Sequence, residues 1–120
     1  MSVKLKYVFL ALIVTALPGF AHHATATQYD VSRTISLTGV ISKLEWSNPH
    51  VHAVIDVQKV HWDVELASPG GVIVAGLSRD QLKPGTDLTV TGYPGKANNT
   101  LCAVKLKTGA GAVVTFTVGI

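Results

Sequence analysis

The stretch that decides the fold runs from Trp46 to Leu66 and reads WSNPHVHAVIDVQKVHWDVEL. Apolar and polar residues alternate along it with a period of two, which is typical of β-strands that bury one face. The alternation predicts a β-hairpin with a two-residue turn at Gln58 and Lys59. One register satisfies both faces of the hairpin at once. It pairs Val57 with Val60, Ile55 with Trp62, Ala53 with Val64, Val51 with Leu66, Asp56 with His61 and His52 with Glu65.

The first 21 residues have the pattern of a secretory signal peptide. Lys4 and Lys6 form a basic start, and an apolar run of about eleven residues follows, too short to span a bilayer. Small residues at Gly19 and Ala21 predict cleavage after Ala21. We therefore expect a periplasmic or secreted protein with no stable membrane anchor after cleavage; an uncleaved anchor helix is the alternative.

Cleavage after residue 21 would leave 99 of the 120 residues, enough for one small domain. We expect a signal peptide at 1–21, a polar N-terminal arm at 22–33 and a barrel domain at 34–120. Loss of the two signal lysines lowers the formal net charge from +3 to +1. The remaining charges are mixed, with no basic run, which argues against a nucleic-acid partner. The sequence does not indicate a particular protein partner.

The strand before the hairpin is long and changes the parity of its apolar residues. In Thr34–Trp46, Ile35 and Leu37 have one parity, whereas Val40, Leu44 and Trp46 have the other. The change is centred on Thr38-Gly39, and a glycine at such a point predicts a bulge that bends the strand.

The segments after the hairpin predict one short helix and further strands. Ser68 suits an N-cap, Pro69 suits the first helical position and Gly76 suits the residue past the end. A capping-box pattern at 78–81 predicts one more turn, and strands are expected at 87–93, 101–107 and 112–118. Three strands, a helix and two or three strands give an all-β fold with one short helix, a small OB-like Greek-key β-barrel. An open β-sandwich is the runner-up.

The chain also resembles a family of small exported bacterial proteins that is catalogued as a domain of unknown function. The resemblance covers nearly all of the mature chain and is most specific in the His-His pair at the cleavage point and the Trp-x-Asn-Pro-His run. Its motifs are Ala21-His22-His23, Tyr29-Asp30, Leu37–Val40, Glu45–His50, Glu65–Pro69, Leu82–Gly85 and Val90–Tyr93. Gly70-Gly71 departs from the family pattern, in which a longer helix is usual. The resemblance implies an exported β-barrel and no particular activity.

Two of the five histidines would open the mature chain. Cleavage after Ala21 gives His22 a free α-amine, and this amine and the imidazole Nδ1 atom can chelate one metal in a six-membered ring. A second imidazole, from His23, His50 or His52, would complete a T-shaped arrangement. Such nitrogen-rich tetragonal geometry suits Cu(II). The sequence therefore predicts a copper ion as the cofactor, with metal ligands drawn from His22, His23, His50 and His52.

Other interpretations of the histidines stay open. On a strand surface, the pairs His52–Glu65 and His61–Asp56 would serve as ordinary cross-strand charge pairs. The hairpin carboxylates beside the histidines could equally form a weak, adventitious zinc site. The chain contains no serine elbow and no phosphate-binding glycine loop, and charge pairing explains Asp63 and Glu65 without a glycosidase mechanism.

We therefore expect a non-enzymatic exported module that binds copper. The alternative is a structural or protein-interaction module of the cell envelope with no metal, and a copper-dependent oxidative enzyme is a distant third.

Aromatic residues and the cysteine complete the candidates. Tyr29, Trp46 and Tyr93 are expected to be available for ligand stacking on a barrel face. Core packing is favoured for Trp46 and Trp62, since large aromatic residues dominate small cores. Cys102 is the only cysteine, so an intrachain disulfide is excluded, and we expect a buried and inert thiol.

Overall fold

The computed structural model describes residues 25–119. The predicted signal peptide, His22 and His23 lie outside these residues. From residue 35 to residue 119, six strands and one α-helix follow in the order β1 (Ile35–Glu45), β2 (His52–Val57), β3 (Val60–Glu65), α1 (Pro69–Ala75), β4 (Asp87–Pro94), β5 (Thr100–Thr108) and β6 (Val113–Thr115). A single 3₁₀ turn, Asp80–Leu82, lies between α1 and β4. Within the described residues no helix is long and apolar enough to cross a bilayer.

The six strands form one sheet that closes on itself. Their order is β3-β2-β1-β4-β5-β6, and a parallel pairing between β3 and β5 closes the first five into a barrel. All other neighbours are antiparallel. With the helix placed between β3 and β4, this is the topology of a five-stranded OB-type barrel. The predicted all-β fold with a small barrel and one short helix is confirmed.

The hairpin has the register that its alternation predicts. The observed pairs include Ile55 with Trp62, His52 with Glu65 and Asp56 with His61. Gln58 and Lys59 form the turn, both with positive φ (49° and 68°), as a two-residue type I′ turn requires. Leu66 donates its backbone N–H to the carbonyl of Val51 at 2.8 Å, which extends the pairing one step beyond the strands.

The bulge in β1 lies later than the sequence predicts. The register with β2 shifts between Ile41 and Lys43, not at Thr38-Gly39. Ile41 is buried (1% exposed), whereas Val40, which shares the parity of Leu44 and Trp46, is 41% exposed. Position 39 requires glycine for another reason, because a Cβ atom there would lie 2.3 Å from the carbonyl oxygen of Asp56. The glycine marks a close approach of two strands, and the parity change occurs after it.

The short helix ends as the sequence predicts. The Ser68 hydroxyl accepts a hydrogen bond from the N–H of Gly71 at 3.1 Å, and Gly76 adopts the left-handed conformation at the other end. The capping box is formed between Ser78 and Gln81, whose side chains each accept the other's backbone N–H. The final strand is shorter than predicted, three residues within 112–118.

One apolar core fills the barrel. It consists of alternate residues of the strands together with Val72, Leu77 and Leu82 from the segment between β3 and β4. Trp46 and Trp62 are partly buried and pack against this core, so the prediction of core packing is confirmed for both. The histidines and carboxylates of the hairpin lie on its other, outer face.

Candidate functional site

The described part of the N-terminal arm, from Thr25 onward, is fixed against the barrel. Residues 25–28 are helical, and Tyr29 forms a β-bridge with Gly95 beyond the end of β4. The N–H of Asp30 donates to the carbonyl of Pro94 at 2.8 Å, and the N–H of Lys96 donates to the carbonyl of Gln28 at 2.9 Å. These bonds hold the start of the described chain at one end of the barrel.

The turn between β1 and β2 places His50 at the same end. The Asn48–Pro49 peptide bond is cis, and β2 begins at His52. The N–H of Val51 donates to the carbonyl of Ala67 at 2.9 Å, so the backbone beside His50 is tied to the segment that follows β3. His50 is therefore held next to Glu65, the last residue of β3.

A cleft of about 470 Å³ opens between the arm, this turn and the end of the chain. Thr25 and Gln28 line it from the arm, and His50 and Glu65 line it from the hairpin. The rest of the lining is mostly apolar: Pro49, Leu66, Ala67, Cys102, Ala103, Phe116, Thr117, Val118 and Gly119. A mostly apolar cleft with a few polar groups at one side is a typical binding site.

Glu65 is the centre of the polar groups in this cleft. Its Oε1 atom lies 3.2 Å from Nδ1 of His50 and 3.9 Å from Nε2 of His52. The Glu65 side chain is only 16% exposed, and the hydroxyl of Tyr29 lies beside it. One carboxylate thus lies close to the arm, to His50 and to His52.

Tyr29 is not the exposed aromatic that the sequence predicts. It is 7% exposed, and its hydroxyl lies beside Glu65. Burial, followed by the negative charge of Glu65, raises the pKa of Tyr29 well above its ordinary value. Tyr29 serves as an anchor of the arm and is not available for ligand stacking.

The other outer-face histidines are paired with aspartates. His52 Nδ1 lies 2.9 Å from Oδ1 of Asp63, and His61 Nδ1 contacts Oδ1 of Asp56. The cross-strand pair His61–Asp56 is confirmed. His52 lies opposite Glu65 in the register, but its hydrogen bond goes to the diagonal residue Asp63.

Cys102 is buried beside the cleft. Cys102 is 6% exposed. Burial, together with the negative charge of Glu65, raises the pKa of its thiol to about 11. A thiol with this pKa is overwhelmingly protonated near neutral pH and is a poor nucleophile. This agrees with the expectation of a buried small residue.

The structure brings together two of the four predicted metal ligands. His50 and His52 both approach Glu65, whereas His22 and His23 lie outside the described residues. Across residues 25–119, no group of three or more His, Cys, Asp or Glu side chains has the geometry to hold a metal. The sequence showed the histidines and their carboxylates but missed Tyr29, since a tyrosine in an aperiodic arm gives no signal of burial.

Two solved structures share this barrel. The crystal structure of the S. pombe Stn1–Ten1 complex matches with a TM-score of 0.52 at 15% identity, over 63% of this chain and 57% of that chain. The crystal structure of TiaS in complex with a transfer RNA and ATP matches with a TM-score of 0.50 at 19% identity, over 63% of this chain and 18% of that chain. The chain thus spans less than two thirds of either protein. At such identities the likeness describes the fold alone.

Sequence comparison gives the family. No curated protein matches the chain. A family model described as "Family of unknown function (DUF6152)" matches residues 11–103, which is more than three quarters of the sequence. The chain therefore belongs to DUF6152, a family of unknown function.

Proposed function

We propose that the protein is exported, is cleaved after Ala21 and binds one copper ion through His22 and a histidine of the hairpin. The proposal is for a binding module and not for an enzyme. The observation that carries it is the position of Thr25, which lines the same cleft as His50 and Glu65.

The length of the arm supports this arrangement. His22 lies three positions before Thr25, and three residues of chain span at most about 10 Å. The arm beyond Thr25 is held in place by the hydrogen bonds of Gln28 and Asp30 to the β4–β5 loop region. After cleavage at Ala21, the new N-terminus would therefore lie within about 10 Å of Thr25, which lines the cleft.

The chemistry of the donors supports copper. The α-amine and the Nδ1 atom of His22 would chelate the ion, and an imidazole from the barrel would supply a third nitrogen. Three nitrogen donors in a tetragonal arrangement favour Cu(II), which also has the highest affinity among the divalent first-row metals. His23 is adjacent to the chelating residue and would have to turn back to reach the same ion.

His50 is the better hairpin ligand. It lines the cleft with Thr25, and its side chain is 47% exposed. His52 is 31% exposed, already bonds to Asp63 and is not part of the cleft lining. We therefore assign the third nitrogen to His50 and a structural role to His52.

Nucleic-acid binding is a weaker candidate. The likeness to a protein solved with a transfer RNA is a likeness of the barrel alone. The sequence after residue 21 carries 8 basic and 7 acidic residues, and such a near-neutral balance gives little attraction to phosphates. The proposed ligand is therefore a metal ion.

The test is a Cu(II) titration, monitored by calorimetry, of protein that begins at His22. We expect one tight site, and we expect the affinity to fall at least tenfold when one residue is added before His22 or when His50 is changed to alanine. H61A is the matched control, since His61 lies on the same face but pairs with Asp56 at the far end of the hairpin. Equal affinity with the added residue would contradict chelation by His22, and the absence of tight binding would favour the metal-free interaction module.

A further inference from the structure

We infer that Glu65 is a positioning residue that fixes the tautomer of His50 and so makes Nε2 the atom that binds the metal. The metal in this statement rests on the proposed function, but the tautomer does not. The inference follows from three contacts of the carboxylates on this hairpin.

The first contact decides which ring nitrogen carries the proton. Nδ1 of His50 lies 3.2 Å from Oε1 of Glu65. A neutral imidazole has one N–H and one lone pair, and a lone pair on the nitrogen nearest the carboxylate would be repelled by its negative charge. The proton therefore belongs on Nδ1, which leaves the lone pair on Nε2. The ring is half-exposed, and this leaves Nε2 accessible to an ion.

The second contact fixes the carboxylate itself. Tyr29 is buried, and its hydroxyl lies beside the Glu65 carboxylate. A carboxylate has lone pairs for several donors, so it can accept from Tyr29 and His50 together. Tyr29 lies four residues after Thr25. The Glu65 carboxylate therefore lies against both Tyr29 of the arm and the imidazole of His50, which the start of the arm would meet. Carboxylates in this role orient histidine ligands in many metal sites and increase their basicity.

The third contact provides the matched comparison. Nδ1 of His52 lies 2.9 Å from Asp63, so His52 has its own orienting carboxylate. Replacing Asp63 should change the tautomer of His52 and leave that of His50 alone. Replacing Glu65 should change the tautomer of His50.

The experiment measures long-range ¹H–¹⁵N couplings of the imidazoles in metal-free protein that begins at His22, at a pH where the rings are neutral. We expect His50 to carry its proton on Nδ1 in the native protein. In E65Q the amide can face His50 with either its oxygen or its NH₂ group, and the Nδ1–H form should give way to a mixture. In D63N the His50 pattern should be unchanged.

Copper titration of the same variants completes the test. We expect E65Q to weaken Cu(II) binding by about 10–100-fold, as for other orienting partners of metal-bound histidine, and D63N to change it by less than about threefold. A native His50 with its proton on Nε2, or a His50 pattern that E65Q leaves unchanged, would overturn the inference even if copper binds. A tautomer that follows Glu65 in a protein that binds no copper supports the positioning role and contradicts the proposed function alone. If E65Q does not fold, the native tautomer decides.

Discussion

The backbone of Gly39 in β1 lies directly against the carbonyl group of Asp56 in β2. A Cβ atom at position 39 would be 2.3 Å from the carbonyl oxygen and 2.9 Å from the carbonyl carbon. Gly39 pairs with Leu88 in β4, and the next residue, Val40, pairs with Asp56. Val40 also pairs with Asp87 in β4, so β1 lies between both neighbours directly after the glycine.

Replacing Gly39 with alanine should destabilise the protein by about 2–4 kcal/mol. The obstacle is backbone of a central strand, which cannot turn away as a side chain can, so the two strands must separate. Urea denaturation of the protein beginning at His22, monitored by circular dichroism, measures the change in the free energy of unfolding. A loss below about 0.5 kcal/mol would show that the strands are not held at this distance.

Gly70 provides a contrasting prediction. It lies in the first turn of α1, and a Cβ atom there would meet nothing within 4 Å. G70A should stabilise the protein by about 0.5–1 kcal/mol, because alanine has the higher helix propensity and restricts the unfolded chain. The neighbouring G71A should not stabilise, since its Cβ would lie 2.9 Å from that of Ala67. The same urea titrations compare the two, and equal effects would contradict the described packing of the helix.

The thiol of Cys102 should be unreactive in the folded protein. It is buried, and its pKa is raised to about 11, so the thiolate fraction at pH 8 is about a hundredfold lower than for an ordinary thiol of pKa 9. Reaction with a chromogenic disulfide reagent at pH 8 should be slow in the native state and complete within minutes in urea. Rapid labelling of the native protein would contradict the burial of this side chain.

Stability should fall as the solution becomes alkaline. The pKa of Cys102 rises from 9.0 to about 11 on folding, so between these values the unfolded chain has lost a proton that the folded protein retains. Unfolding is then favoured by rising pH, and the loss approaches about 2–3 kcal/mol near pH 11. Tyr29, whose pKa is also raised, adds to the loss above pH 10. Thermal unfolding from pH 8 to 11 measures the slope, which C102A should reduce; a slope that C102A leaves unchanged would contradict this origin.

Much of the fold could be predicted from local patterns. The hairpin register followed from alternation on two faces, and the helix boundaries followed from Ser68 and Gly76, because both signals are confined to a few neighbouring residues. The bulge was placed wrongly because the sequence pattern is compatible with a change of parity at any position between Leu37 and Leu44. The glycine favoured the wrong position among these. Only the packing of β2 on β1 shows that Gly39 serves a close approach.

The candidate site was less accessible from the sequence. His50, His52 and Glu65 were identified since they belong to one hairpin. The burial of Tyr29 depends on the arm crossing to Gly95, a contact between residues far apart in sequence and with no periodic pattern. The convergence of the arm on the cleft could likewise be learned only from the three-dimensional structure.

The most direct test of the proposed function is the mass of the exported protein under native and denaturing conditions. Cells that produce the full chain are grown with copper, and the protein is recovered without chelators. We expect a denatured mass that corresponds to residues 22–120 and a native mass larger by one copper ion. A chain that begins at another residue, or one that begins at His22 and carries no copper after reconstitution, would contradict the proposal.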